Sequence, residues 1–593
     1  MARPSTFKAA ATLLIASGAI AGGIEWRTVD GTNNNLANPN WGRAGGQLVR
    51  ICPAAYSDGV SAMNGQNRPN PRIVSGIMNQ ADVLFNGRGL TDWVWQWGQF
   101  LDHDFSLTSA QSTPAFIEVP TGDPIFDPNG IGGQVIGFRR SNFDPTTGTD
   151  VNNPRNQTNT LTAYLDGSVV YGSTTVRASW LRTGSGGRMK INPTAVGDLL
   201  PYNDGSQNNS FVGNDSEYFV AGENRVNEQA GLATVHTVLH REHNRVADLI
   251  AANNPGMSDE DVYQYARRII AAEIQVITYG EWLEALLGQS PLPPYTGYNP
   301  LVNAGIAHEF SAVAFRFGHT MLSPFLLRLD ANGEVMPSGN LALRDAFHDI
   351  SSIVNEGVDP IVRGLASSLM QEIDARIIDD VRNFLFANTP PFHLDLMALN
   401  FQRARDHGLP DYNSMRAEFG LPVNATFADI TSDPEIQAGF AGVYADTSDI
   451  DPFIGAMAED HLPGKSVGEL MNAILVDQFV RLRDGDRFWW QNDPHLPGIL
   501  AAAGLDMNWL AARRYSGIIR DTTGVQDIQN NAFRLPLTGD IDDDGVVAFT
   551  DLNLLLSDYG QSAPGLAGDL DGDGDVDFSD LNLLLGNYGA SYN

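Results

Sequence analysis

The sequence predicts a mainly α protein: a large helical body followed by a small C-terminal module of two loop–helix repeats. Three observations carry this. Long stretches place apolar residues at helical spacing, as in Leu232, Val235, Val238, Leu239, Val246 and Leu249. Almost nothing before residue 520 alternates over a strand-length span. After residue 531 an acidic loop occurs twice, followed each time by nearly the same helix, DLNLLLSDYG and DLNLLLGNYG. The boundaries are a leader at 1–21, a body at 22–530, a linker at 531–538 and the repeats at 539–593.

Composition narrows the function. The net charge of −33, from 37 basic and 70 acidic residues, argues against nucleic acid or an anionic membrane as partner and favours cations, calcium first. Hydrophobic residues make up 42%, enough for a large core. One cysteine, Cys52, excludes an intrachain disulfide and reads as a small buried hydrophobe. Arg3 and Lys8, the uncharged run from Ala9 to Ile24, and Ala19-Ile20-Ala21 resemble an export signal, so the chain is expected to be secreted or at a cell surface. An uncleaved anchor is the alternative. No longer apolar run follows, so no membrane span is expected after processing.

Taken in order, residues 25 to 90 read as an arm of loops rich in Asn, Gly and Pro. Trp93 to Thr108, WVWQWGQFLDHDFSLT, reads as a helix. Gln99 shares a face with Asp102 and His103, while Asp104 points about 100° further round. Buried carboxylates are costly unless paired or metal-bound, so this helix looks like one wall of a site. Leu161 to Ser173 reads as extended, with Thr162, Tyr164, Asp166 and Ser168 on one side. Those oxygens, joined by Asp104, suit calcium; an exposed polar strand face is the alternative.

Glu223 to Asn254 is expected to be one long helix opening with Arg225 and Glu228 near its positive end. His236, His240 and His243 lie on it. The first two could chelate zinc, but the metalloprotease signature is absent, and solvated or cap-bonding histidines fit better. Asp259 to Leu287 is a second helix. His308 to Leu322 is a third, with Arg316 one turn before His319. Asp359 to Phe386 contains another. Met397 to Tyr412 carries Asn400, Arg403 and Arg405 before a Gly-Leu-Pro stop.

In the tail, Asp540, Asp542, Asp544 and Asp551 occupy positions one, three, five and twelve of a calcium loop. Asp569, Asp571, Asp573 and Asp580 repeat that set, and Gly545 and Gly574 permit the sharp turn.

Two histidines on separate stretches, with an arginine and an asparagine, match the needs of a haem site. One imidazole ligates iron, the other works as acid and base on peroxide, and a cation steadies the departing oxygen. Spacing alone leaves this open beside ordinary core histidines.

The motifs WGQFLDHD, AGENRVNE, FRFGHT and LNFQRARDHG, in this order, resemble the animal-type haem peroxidases; RTVDGTNNNLANPNWG and LTAYLDGSVVYGS also look like family segments. The resemblance spans about Glu25 to Arg520, and the tail resembles a dockerin-type calcium module. It implies roles residue by residue. His103 matches the distal histidine, Gln99 the distal glutamine and Arg225 the distal arginine. Asp102 and Glu228 match carboxylates that form esters with haem b. His319 matches the iron ligand, Asn400 its hydrogen-bond acceptor and Arg403 an arginine near a propionate. Asp104, Thr162, Tyr164 (through its carbonyl), Asp166 and Ser168 match a calcium site. Gln229 stands where some members carry a haem-bonded methionine, so a third link cannot form there. That weighs against chloride and leaves bromide, iodide, thiocyanate or phenols. The expected activity is reduction of hydrogen peroxide at the cost of such a donor, with the tail tethering the enzyme to a cohesin-like scaffold protein. The competing readings are a non-catalytic calcium-dependent binding protein, a haem fatty-acid oxygenase and a zinc hydrolase.

Overall fold

The computed structural model describes residues 23–80, 82–386, 394–542, 545–563 and 566–591. The leader expected at 1–21 and the loop residue Asp544 lie outside them. The body is mainly helical. Its strands form four two-stranded antiparallel pairs, none of which organises the core. Three helices frame the centre: α1 (Trp93–Phe105), α2 (Ala230–Asn253) and α3 (Asp259–Ile277).

Helix α1 is apolar nearly all round and is accordingly buried nearly all round, with Trp93, Trp97, Phe100 and Leu101 in the core. It packs against α2, which packs along α3. Two glycines make that approach possible. A Cβ at Gly98 would meet the Trp282 ring at 3.2 Å, and one at Gly231 would lie 2.4 Å from Gln96 Oε1. Arg513 ties α2 to α3, donating to Glu242 at 2.8 Å and to Glu273 at 2.7 Å, all three buried. One contiguous apolar core runs from Leu48 to Phe533. Among the described residues no helix is long and apolar enough to cross a membrane.

Several expected elements differ. Helix α2 begins at Ala230, not Glu223, because the Gln229 side chain accepts from Gly231 N–H and caps it. Arg225 and Glu228 therefore sit on the turns that lead into the helix. The segment around 161–173 is not extended: it turns at Gly167, whose φ is +74°, into a short helix, Ser168–Tyr171. His308 to Leu322 is not one helix. A helical turn, His308–Ala312, passes at Val313 into a 3₁₀ stretch, Ala314–His319.

Nor are the α2 histidines solvated. All three are buried: His240 Nε2 meets Lys190 O, and His243 bridges Tyr171 OH and Gly187 O. His240 Nε2 and both His243 nitrogens are thus spent on neighbouring segments, whereas His236 is buried edge-on to Phe100 with neither ring nitrogen bonded among the described residues.

The C-terminal repeats fold around a core of their own, Val547, Leu555, Val576 and Leu584. Their helices are α4 (Phe549–Asp558) and α5 (Phe578–Gly586). In each loop the last aspartate accepts two N–H groups from the loop's start: Asp551 from Ile541 and Asp542, Asp580 from Leu570 and Asp571.

Candidate active site

A cavity of about 420 Å³ opens between α1, the loop before α2 and the 3₁₀ stretch that ends at His319. That is within the range of small-molecule and cofactor pockets. Gln99, Asp102, His103, Arg225, Glu228, His319 and Arg403 all line it. His103 and His319 stand on different walls of one slot, one on α1 and the other at the end of the 3₁₀ stretch.

On the α1 wall, burial holds the His103 imidazole well below its ordinary pKa, with Arg225 and then His236 adding to the effect. The ring is thus neutral. Arg225 donates through Nη2 to Ser106 O at 3.2 Å and through Nη1 to Asp102 at 3.3 Å. Gln99 donates to Glu228 at 3.1 Å and accepts from Gln229 at 2.9 Å. Burial pushes the Glu228 carboxyl up to about 7 and raises Asp102, with Arg225 opposing both. These are carboxyl groups shifted toward the uncharged form at the rim of an apolar slot.

On the other wall, burial and then Arg316 lower His319 to about 3. Asn400, buried on a helix that spans Leu396–Asp406, meets the ring with its amide nitrogen 2.9 Å from Nδ1. Arg316 Nη1 donates to Asn400 Oδ1 at 2.7 Å and so helps orient the amide. Arg403 donates to Ser141 Oγ at 2.6 Å and stacks 4.3 Å over Phe138.

Haem fits this donor set. His319 Nε2 has no protein partner among the described residues, its ring is neutral, and the α1 wall offers a second neutral imidazole. Two carboxyl groups, Asp102 and Glu228, line the same cavity, and Arg316 and Arg403 add two cations that could pair with acidic substituents.

Behind the α1 wall, Asp104 accepts from Val169 N–H at 2.9 Å and Gly167 N–H at 3.3 Å, and its carbonyl from Ser168 Oγ at 2.5 Å. Asp166 accepts from Thr162 Oγ1 at 3.0 Å and from Ser168 N–H at 3.0 Å. Tyr164 OH donates to Trp41 O, so that side chain anchors the loop while its carbonyl stays within it. Burial, then the neighbouring Asp166, pushes Asp104 up to about 8, and burial raises Asp166. Two buried carboxylates, both raised by burial, suit a hard divalent cation.

In the tail, Asp540, Asp542 and Asp551 cluster, as do Asp569, Asp571 and Asp573; Asp580 turns instead to the backbone of its own loop.

Comparison with known proteins now decides the family. The animal haem peroxidase profile matches residues 26–533. The chain belongs to the animal haem peroxidase family. Peroxinectin A of Dictyostelium discoideum is 37% identical over 482 residues, covering 80% of this chain and 90% of that protein. The mouse peroxidasin homolog is 35% identical over 563 residues and covers 86% of this chain, which spans only 37% of that longer relative. The solved structure of peroxidase A from Dictyostelium discoideum superposes with a TM-score of 0.80 at 36% identity, covering 86% of this chain and all of that one. The peroxidase assignment agrees with the expected class of enzyme.

The sequence alone gives no site role to three residues, Glu223, Gln96 and Arg316. Glu223 was noted only as a helix opening; it bonds Arg225 twice. Gln96 and Gln229 form the amide network that holds Gln99. Arg316, recognised only as one turn before His319, sets the orientation of Asn400. The signal for Glu223 was an acid two residues before a functional arginine.

Proposed function

We infer that this is an exported haem peroxidase that reduces hydrogen peroxide and oxidises a halide, pseudohalide or phenolic donor. The observation that carries it is the pair of neutral imidazoles, His103 and His319, lining one cavity from two different elements. His319 would hold the haem iron, and Asp102 and Glu228 would bond the haem edge as esters. Haem, when bound, supplies the two electrons that cleave the peroxide O–O bond.

The chain's own groups do the rest. His103 takes the proton from one peroxide oxygen and returns it to the other, which leaves as water. Arg225 offers N–H groups to that leaving oxygen. Gln99, held by Glu228 and Gln229, fills the space beside His103 and orders what enters. A cation held by Asp104, Thr162, the Tyr164 carbonyl, Asp166 and Ser168 would lock the end of α1 and so the neighbouring His103. Gln229 in place of a methionine supports bromide, iodide, thiocyanate or phenols over chloride.

The tail supports a tether. Phe549 and Phe578 occupy equivalent places in the two repeats and are 64% and 62% exposed, and Leu556 and Leu585 are each 50% exposed. Such a paired apolar face suits a cohesin-like scaffold partner that docks when the loops hold calcium.

Two tests follow. His103→Ala is expected to slow the peroxide reaction by about 100- to 10,000-fold while haem stays bound; stopped-flow absorbance reads it, and an unchanged rate refutes the role. Replacing both Asp102 and Glu228 should let acidified organic solvent extract the haem. Retention in the double variant would refute the ester links.

A further inference from the structure

We propose that Glu223 is a positioning residue for the peroxide reaction, one carboxylate that orients both His103 and Arg225. The proposal rests on the peroxidase reading above. Glu223 is buried, and both of its oxygens face the site. Oε1 accepts from Arg225 Nε at 2.8 Å. Oε2 accepts from the Arg225 backbone N–H at 2.6 Å and lies 3.6 Å from His103 Nδ1. That ring nitrogen is buried and has no hydrogen-bond partner among the described residues. An unpaired buried ring nitrogen is unfavourable, so a small shift that closes the contact is favoured.

The contact has a chemical consequence. A carboxylate facing Nδ1 keeps the proton on Nδ1 and leaves the lone pair on Nε2, the form a base needs. When Nε2 takes a proton, the new charge forms beside Glu223 rather than beside Arg225 alone. The same carboxylate fixes the Nε edge of Arg225, so the two Nη groups point away from it toward Asp102 and Ser106. Esterification of Asp102 and Glu228 would remove both of their charges. Glu223 then remains as the counter-charge shared by the two residues that handle peroxide.

A plain structural ion pair with Arg225 is the competing account, and the holoenzyme separates the two. Cyanide is a suitable probe, because it binds ferric haem as HCN and leaves its proton with a distal base. Glu223→Gln keeps the shape and an acceptor oxygen but loses the charge; Glu223→Ala loses both. The proposal expects cyanide affinity to fall by about 10-fold or more in Glu223→Gln and further in Glu223→Ala, and the peroxide rate to fall in parallel. The KM for the reducing donor should stay unchanged. In the cyanide complex of the parent protein the His103 Nδ1–H should give a slowly exchanging proton resonance, lost in Glu223→Ala and partly restored in Glu223→Asp.

Cyanide affinity and peroxide rate within twofold of the parent in both variants, at full haem occupancy, would overturn the proposal. So would a resonance that persists in Glu223→Ala. Should Glu223→Ala fail to fold, Glu223→Gln and Glu223→Asp carry the same comparison. A His103→Ala variant of normal rate would instead overturn the peroxidase reading itself, so the two failures are distinguishable.

Discussion

The chain carries two kinds of clustered carboxylate, and they behave differently. Asp104 and Asp166 are buried behind α1 and each is pushed toward its neutral form. Among the described residues of the C-terminal loops, Asp542, Asp571 and Asp573 are exposed, whereas Asp551 and Asp580 are buried against the backbone of their own loops. The difference is one of dielectric. Charge repulsion is weakly screened in a dry interior and strongly screened by water. The backbone of residues 167–169 rests on Asp104 at the end of α1, so a cation held there would become part of the fold. In the tail it would govern a small unit with its own core.

The sharpest way to break this comparison is to neutralise each cluster in turn. Asp104→Ala with Asp166→Ala, measured by urea unfolding at saturating calcium, is expected to cost about 3–5 kcal/mol and to lower peroxidase activity at least tenfold, because the end of α1 carries His103. Equal stability to the parent would remove the buried site from the argument.

An effect of comparable size is expected from acid. Burial holds His236 and His243 down to about 3 and His240 to about 4, so the folded protein keeps them neutral. The unfolded chain protonates them below about pH 6.5. The unfolded state therefore binds more protons between pH 6.5 and pH 4, and stability falls as pH falls through that window, by about 1.4 kcal/mol per pH unit for each histidine fully titrating. Unfolding midpoints at pH 7 and pH 5 test this, and a chain truncated at residue 538 should show the same slope.

The smallest effect on the body belongs to the tail. Asp540→Asn with Asp569→Asn should abolish calcium-dependent protection of residues 539–591 from protease while peroxidase activity stays within about twofold, as expected of a substitution remote from the cavity. A larger loss of activity would show that the two regions are coupled.

How much of this was legible beforehand varied with the kind of interaction. The helical body was, because α1, α2 and α3 carry apolar residues at helical spacing over many turns. The line-up of Gln99, Asp102 and His103 was, because it is set within one helix. The local departures were not. Alternation of oxygens in residues 162–168 suggested a strand, whereas the positive φ of Gly167 and the Asp104 carboxylate, which takes two of the loop's N–H groups, turned it into a cradle. The start of α2 was placed too early because a side-chain cap at Gln229 outweighed the helical pattern before it.

By itself the sequence determined the main helices and the inventory of chemistry: two imidazoles, Arg225, the carboxyl groups and the duplicated acidic loop. Those depend on residue type and on spacing along one chain, which local geometry converts directly into shared faces. Only the tertiary structure decided which groups meet. It brought Glu223 to His103, set Arg316 against Asn400, and buried three histidines that read as solvated or cap-bonding. The reason is that such contacts join residues far apart in sequence, and burial, which sets both their strength and their ionisation, exists only once the helices have packed.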